Sequence, residues 1–354
     1  VVVGAGNGGL VAATTAAQNG AKVVVLEKAG AIAAAREAIG ALNSKLAPDH
    51  QEDVPTLLNH ANQTQAGDAN MLMYKTWAEK SGEMIEWMAD TLGPKGMLFP
   101  FEWHCPDDPH AYYPAMCYNP CLDEYNPDGP NYTSYTHLEV MADVFTTDLG
   151  GEIRFETPAQ QLLIDEAGRV TGVIARDVQG DRHYLRINAS KGVILSTGGY
   201  GNNLEMMEDR QAWNQKIRIA APGSGGNPTG SGIKAALWLG ATMDPIGAAC
   251  TFNRACVKPD QYAGDGVLGR WFWFGEQPFL KLNLKGERFC NESGPYDYML
   301  HSTIMQPHQT YVDIWDANHA AQAEAFDEVG CCRLFPFPNG AKNNIPMQVV
   351  DGMI

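Results

Sequence analysis

The sequence predicts an α/β fold, with a large domain built on a parallel sheet, a β-meander within it, and a smaller α+β domain after it. Three observations carry this reading. A β-branched run, a glycine-rich turn, an Ala-rich stretch and a second apolar run follow one another within residues 1–27. Three alternating runs separated by turn residues occupy 160–188. Beyond about residue 250 the texture becomes aromatic and loop-rich, which places the boundary between domains 1–254 and 255–354.

The 354 residues suffice for one large α/β domain and a smaller second one. A net charge of -16 argues against nucleic acid, whose binding needs a basic surface. No run approaches the roughly 18 consecutive apolar residues of a membrane helix, so no membrane span is expected. Eight cysteines are too sparse for a disulfide scaffold. Cys105, Cys117 and Cys121 fall close together, but their spacing is not a strong zinc or iron–sulfur pattern. They read as small buried hydrophobes, and no metal is expected.

Along the chain, Val1-Val2-Val3 reads as a strand and residues 10–19 as a helix closed by Gly20. Residues 22–27 read as a buried parallel strand, completing a βαβ unit. Residues 36–90 read as largely helical, with Trp77, Met84, Trp87 and Met88 as a core stripe. The Pro-, Tyr- and Asp-rich segment 97–135 reads as a long ordered loop, and a helix runs from His137 to Gly150-Gly151. Runs 160–165, 169–177 and 182–188 form the meander. Residues 192–196 read as another buried parallel strand.

The chemistry is concentrated in Gly4-x-Gly6-x-x-Gly9, between the first strand and its helix, with Glu27 ending the next strand. The first glycine turns the chain, the second admits a pyrophosphate, and the third lets helix and strand approach. The helix N-terminus offers free N–H groups and a positive dipole end. An acid at position 27 accepts hydrogen bonds from a ribose and disfavours a 2′-phosphate. The pattern predicts dinucleotide binding.

Four more blocks follow in order: Thr157-Pro158-Ala159 before the meander, Thr197-Gly198-Gly199-Tyr200-Gly201, Thr229-Gly230-Ser231-Gly232-Ile233, and Gly286-Glu287-Arg288-Phe289-x-Asn291-Glu292. With the first glycine motif, this series resembles the fumarate reductase/succinate dehydrogenase flavoprotein family across nearly the whole chain. The resemblance implies a Rossmann-like FAD-binding domain with an inserted capping domain over the substrate. It implies that Gly4, Gly6, Gly9, Glu27 and Lys28 hold the ADP part of FAD, with Arg36 a basic residue near the cofactor. Gly40 and Ala41 match the segment along the flavin ring, Ala159 the backbone that meets the adenine, and Thr197, Gly198 and Gly199 the turn beside the ADP moiety. No histidine occurs in residues 1–47, so FAD is expected to be non-covalent. The family's glycine-rich return segment is not found before Ile354, which implies a capping domain incomplete at its C-terminal end.

The chain departs from the family where substrate would bind. A tyrosine, Tyr296, stands where soluble fumarate reductases carry their proton-delivering arginine, and Ser231 replaces an aspartate. Trp271, Phe272, Trp273 and Phe274 replace a polar clamp. A guanidinium pair suits a dicarboxylate, whereas an aromatic wall suits a flat or apolar substrate. The family branch most similar is that of anaerobic bacterial reductases. It implies an FAD-dependent oxidoreductase that reduces the activated C=C bond of a small organic acceptor. Hydride comes from flavin N5 and the proton from Tyr296 acting as general acid. Trp271, Trp273, Phe274, His301 and Arg333 are the substrate-binding candidates, with His308 as a further group in the same region; Arg288 reads as structural. Two alternatives stay open: a dehydrogenase similar to ketosteroid dehydrogenases, and a non-catalytic electron-transfer subunit. The implied partner is an external electron donor, such as a cytochrome or a reduced flavin carrier.

Overall fold

The architecture was analysed in a computed structural model, which describes residues 1–32, 39–64, 70–104, 115–122, 136–178, 183–210, 228–244, 255–262, 270–271, 275, 278–292, 294, 296–319 and 322. Strand β1 (Val2–Val3) runs into helix α1 (Asn7–Gln18) and strand β2 (Val24–Leu26). Then come β3 (Ile39–Gly40), α2 (Val54–Thr64), α3 (Met71–Leu92), β4 (Phe101–His104), β5 (Ala115–Tyr118) and α4 (Thr136–Asp143), which continues as a π-turn, Val144–Asp148. β6 (Glu152–Arg154) precedes the meander of β7 (Ala159–Ile164), β8 (Val170–Arg176) and β9 (Tyr184–Asn188). β10 (Ile194–Leu195), α5 (Leu204–Asp209) and α6 (Ser231–Leu237) follow. The remaining elements are β11 (Ala255–Cys256), β12 (Arg270–Trp271), β13 (Leu280–Asn283), α7 (Tyr296–Ile304) and β14 (Tyr311–Ile314).

The expected βαβ unit is present. β1 lies between β10 and β2, Val2 pairing with Ile194 on one side and Val25 on the other, and β6 extends the sheet beyond β2, all parallel. α1 covers this sheet because Leu10 and Ala13, three apart on one face, are wholly buried. They share a core with Val2, Val25, Ile85, Met88, Leu138, Met141 and Phe145. The helical stripe read in residues 77–88 holds for three of its four residues. Met88 is buried and Met84 and Trp87 pack on the core, but Trp77 sits at its rim with its indole N–H on Gly40 O.

The meander forms as expected, β7 pairing antiparallel with β8 and β8 with β9. Two sequence expectations are corrected. Segment 97–135 is not all loop: β4 and β5 pair antiparallel, and β3 adds to β5 through Ile39–Tyr118 and Gly40–Cys117. The β3–β5 pairing joins residues about 80 apart, which leaves no local periodicity to read. β10 is parallel but not buried. It lies at one end of the described sheet, and Ile194 and Leu195 are exposed. An edge strand lacks the neighbour that would cover it.

Candidate cofactor site

The carboxyl ends of β1, β2 and β10 open onto a cavity of about 440 Å³, where ligands of parallel α/β sheets are held. Gly4 leaves β1 at φ +103°, and a Cβ there would fall 2.2 Å from the carbonyl oxygen of Ser196. A Cβ on Gly9 would meet the Gly4 carbonyl oxygen at 1.9 Å. These two glycines let the helix start, β1 and the chain after β10 cross. Gly6 differs: its Cβ would meet nothing within 4 Å, so its lack of a side chain leaves open space on the cavity wall. Gly6 is also the N-cap of α1 and supplies no side-chain cap, and a helix N-terminus favours an anionic ligand.

Glu27 is buried at the cavity, 4% exposed. Ala5 N–H donates to its Oε2 at 2.8 Å, and Ala29 N–H to its Oε1 at 2.9 Å. These bonds fix the carboxylate and leave each oxygen a second lone pair for a hydroxyl. The neighbouring Lys28 amine is lowered from its ordinary pKa by burial, partly opposed by the Glu27 charge. The opposite wall comes from Pro158, Ala159 and Gln160 at the start of the meander and from Ser196, Thr197 and Gly198 after β10. Helix α6 closes behind this turn: Gly230 N–H donates to Gly199 O at 3.0 Å. A Cβ on Gly232 would strike Thr197 Oγ1 at 2.2 Å.

Thus Gly4, Gly6, Glu27, Lys28, Ala159, Thr197 and Gly198, spread over nearly 200 residues, share one cavity. Gly9 sits behind it in the helix–strand crossing, and Gly199 ties the turn to α6. Gly40 and Ala41 are elsewhere: Gly40 pairs with Cys117 in the β3–β5 ladder, and Ala41 is buried in the core. Arg36, Trp273, Phe274 and Arg333 lie outside the described residues. Tyr296 opens α7 and Trp271 ends β12, placed by their backbones. His301 is exposed in the last turn of α7, and His308 stacks on Tyr262 with ring centroids 4.1 Å apart.

Neither Asn7 nor His137 is among the residues that the sequence motifs single out. Asn7 is on the cavity wall, and its side-chain oxygen lies 2.7 Å from Nε2 of His137 on α4. His137 is 1% exposed, and burial lowers its pKa to about 4. The signal for Asn7 was its place inside the glycine motif; nothing local marks His137.

The antiparallel pair β13 and β14 carries a charged cluster. Arg288 Nε–H donates to both oxygens of buried Glu292, at 3.0 and 3.1 Å, and Lys281 N–H donates to Oε1 at 3.3 Å. Desolvation would raise the Glu292 carboxyl, but the Arg288 and backbone hydrogen bonds together hold it below the usual carboxylate range. This agrees with a structural Arg288, bracing the turn that leads to Tyr296. Among the described residues no group of three or more His, Cys, Asp or Glu is placed to hold a metal ion, and no helix is long and apolar enough to cross a membrane.

The site and sheet define a dinucleotide-binding flavoprotein. The family profile described as FAD binding domain matches residues 1–328; the chain belongs to this family, and FAD is its cofactor. It is 26% identical to the digoxin reductase of Eggerthella lenta over 331 residues, covering 85% of this chain and 56% of that protein. It is 28% identical to the vinyl phenol reductase of Lactiplantibacillus plantarum over 309 residues, covering 84% of this chain and 57% of the relative. The open conformation of a flavocytochrome c3 fumarate reductase has the same fold, with a TM-score of 0.67 at 21% identity over 93% of this chain and 55% of that one. The chain therefore spans just over half the length of the curated relatives it matches.

Proposed function

We propose that the chain is the FAD-holding part of a reductase that saturates an activated C=C bond of a small, flat organic acceptor. The reading is carried by the cavity that joins Gly4, Gly6 and Glu27 to Ala159 and Thr197-Gly198, in a chain whose relatives include reductases named for digoxin and vinyl phenol. In this reading Gly6 and the first turn of α1 receive the pyrophosphate, and Glu27 binds the ribose hydroxyls. Ala159 and Thr197-Gly198 flank the rest of the ADP half, which is bound non-covalently. Gly40, Ala41 and Arg36 belong to the flavin end.

Bound FAD supplies the hydride equivalent for one alkene carbon. The protein orients the acceptor and provides the proton. Tyr296 gives its phenolic proton to the neighbouring carbon; an ordinary tyrosine, with a pKa of about 10, is protonated at neutral pH and suited to that task. The Arg288–Glu292 brace fixes the turn that presents it. Trp271, Trp273 and Phe274 exclude water and stack on the acceptor, with His301 and Arg333 as polar groups of the same region. Electrons reach the flavin from an external donor protein or carrier.

The test is an anaerobic single turnover of the full-length protein, reduced with a low-potential dye and mixed with fumarate, a cinnamate-type acid and a steroid enone. Reoxidation by a non-fumarate alkene is expected, slowed at least 100-fold in Tyr296→Phe. Reoxidation by fumarate alone, or an unaffected variant, overturns the reading. Reduction of the oxidised protein by a saturated ketosteroid, with no alkene accepted, would establish the dehydrogenase instead.

A further inference from the structure

The chain leaving β3 crosses α3 over residues 40–45, and one side chain after another on that helix takes hold of its backbone. The Trp77 indole N–H donates to Gly40 O at 3.2 Å. The buried Leu42 N–H donates to the Ser81 hydroxyl oxygen at 3.0 Å, and the Lys45 N–H to Glu86 Oε1 at 2.7 Å. The partners follow one another along α3 in the same order as the residues they hold. Trp77 and Glu86 stand on opposite flanks of the helix, about two and a half turns apart, with Ser81 and Gly82 on the buried face between them. A Cβ on Gly82 would strike the carbonyl oxygen of Leu42 and crowd that of Asn43, so the chain passes closest to the helix there. Asn43 is itself left-handed, at φ 55°, a conformation that a non-glycine residue keeps only where its surroundings over-determine it. Its side chain accepts from Glu52 N–H at 2.7 Å and donates to Glu52 O at 3.0 Å.

We infer that Trp77 and Ser81 are positioning residues for the flavin ring: by fixing the backbone of residues 40–42, α3 sets where the Gly40–Ala41 peptide stands against the ring. The inference rests on the placement of Gly40 and Ala41 at the flavin end, and it is independent of the acceptor reduced. Burying Ala41 and Leu42 in the core accounts for the packing of this segment. It does not call for an indole, a hydroxyl and a carboxylate of one helix aimed at the backbone of one loop. A protein tunes a bound flavin through the groups beside its ring, and oriented peptide groups carry fixed partial charges. A segment held at both ends and in its middle keeps those charges in one place.

The redox equilibrium of the full-length holoenzyme with a reference dye, read from flavin and dye absorbance, tests it. Trp77→Phe and Ser81→Ala each remove one hydrogen bond to the segment. Each should change the ratio of reduced to oxidised flavin by about 3- to 10-fold. Leu92→Val, which thins the core at the far end of the same helix, should leave the ratio as it is. Trp77 is 40% exposed, so Trp77→Phe decides should Ser81→Ala not fold. Gly40→Ala, a change in the segment itself, separates two ways of failing. If it alters the ratio while Trp77→Phe and Ser81→Ala do not, the segment lies at the flavin but α3 does not position it, and the inference falls alone. If none of the three alters it, Gly40 and Ala41 are not at the flavin end, and that placement falls too. A change in Leu92→Val as large as in Ser81→Ala means general loosening of the helix and overturns the inference.

Discussion

Lys281 and Asp313 face each other across β13 and β14 as a cross-strand pair, with Nζ 2.9 Å from Oδ1 and the lysine wholly buried. The lysine ammonium also lies 5.6 Å from the Tyr311 ring centroid. Removing one partner of a buried pair leaves the other charge uncompensated, whereas replacing both with apolar groups is often neutral. Lys281→Met is therefore expected to cost about 3 kcal/mol of stability above the range in which Asp313 holds its proton. The double variant Lys281→Met/Asp313→Leu should recover most of it. Urea unfolding midpoints of the full-length protein check both; a double variant as unstable as the single one would mean that the pair does not act as a unit.

The same carboxylate predicts a pH dependence. Burial lifts Asp313 to about 7, the Lys281 charge opposing it. A carboxyl whose folded pKa lies above its unfolded value contributes stability below the unfolded pKa and loses it as pH rises through the folded one. Relative to Asp313→Asn, the wild type should lose stability between about pH 4 and pH 7 and level off above. Urea midpoints at three pH values in that window suffice, and a difference that does not change with pH would rule out the shifted carboxyl.

His137 predicts the opposite slope. Its folded pKa is lowered to about 4 by burial, so the neutral ring favours the native state above the unfolded pKa of about 6.5. That stability is lost as pH falls toward 4, because the unfolded chain takes up a proton that the folded one refuses. Between pH 7.5 and 4.5 the wild type should lose about 2 to 3 kcal/mol relative to His137→Gln. In the wild type alone the two titrations run against each other, so only differences between variants isolate either one. A constant gap between wild type and His137→Gln would show the ring to be accessible to protons.

Sequence reading reached the parts of the fold whose rules are local. Gly4-x-Gly6-x-x-Gly9 with Glu27 announced a βαβ unit because each residue answers a constraint within one turn or strand. The meander announced itself by alternation. β3 and β5 did not, since their pairing brings Gly40 to Cys117, a relationship that no window of ten residues contains. The exposure of β10 was missed for a related reason: its apolar residues suit a buried strand, and its place in the sheet order is a tertiary fact. In the site, Glu27, Ala159 and Thr197-Gly198 were legible through ordered motifs. Asn7 stood in plain view inside the first motif, but its hydrogen-bond partner His137 lies on another helix, with nothing in its neighbourhood to mark it.

The three motif glycines separate folding from binding in a way that one series of variants can read. A Cβ at Gly4 meets Ser196 backbone at a positive φ, and one at Gly9 meets Gly4 backbone; neither can be relieved by turning a side chain. Gly4→Ala and Gly9→Ala should therefore destabilise the protein itself, by about 2 kcal/mol or more, and lose flavin as a consequence. Gly6 has a negative φ of -87° and open space where its Cβ would go, so Gly6→Ala should fold with an unchanged urea midpoint when flavin has been removed. Yet the added methyl stands on the wall where the backbone must approach the cofactor, and FAD affinity should fall at least 10-fold. Flavin content of the purified variants and unfolding of their apo forms distinguish the two classes. If Gly6→Ala keeps its FAD, the pyrophosphate does not pass over Gly6, and the orientation of the cofactor in this cavity would have to be reversed.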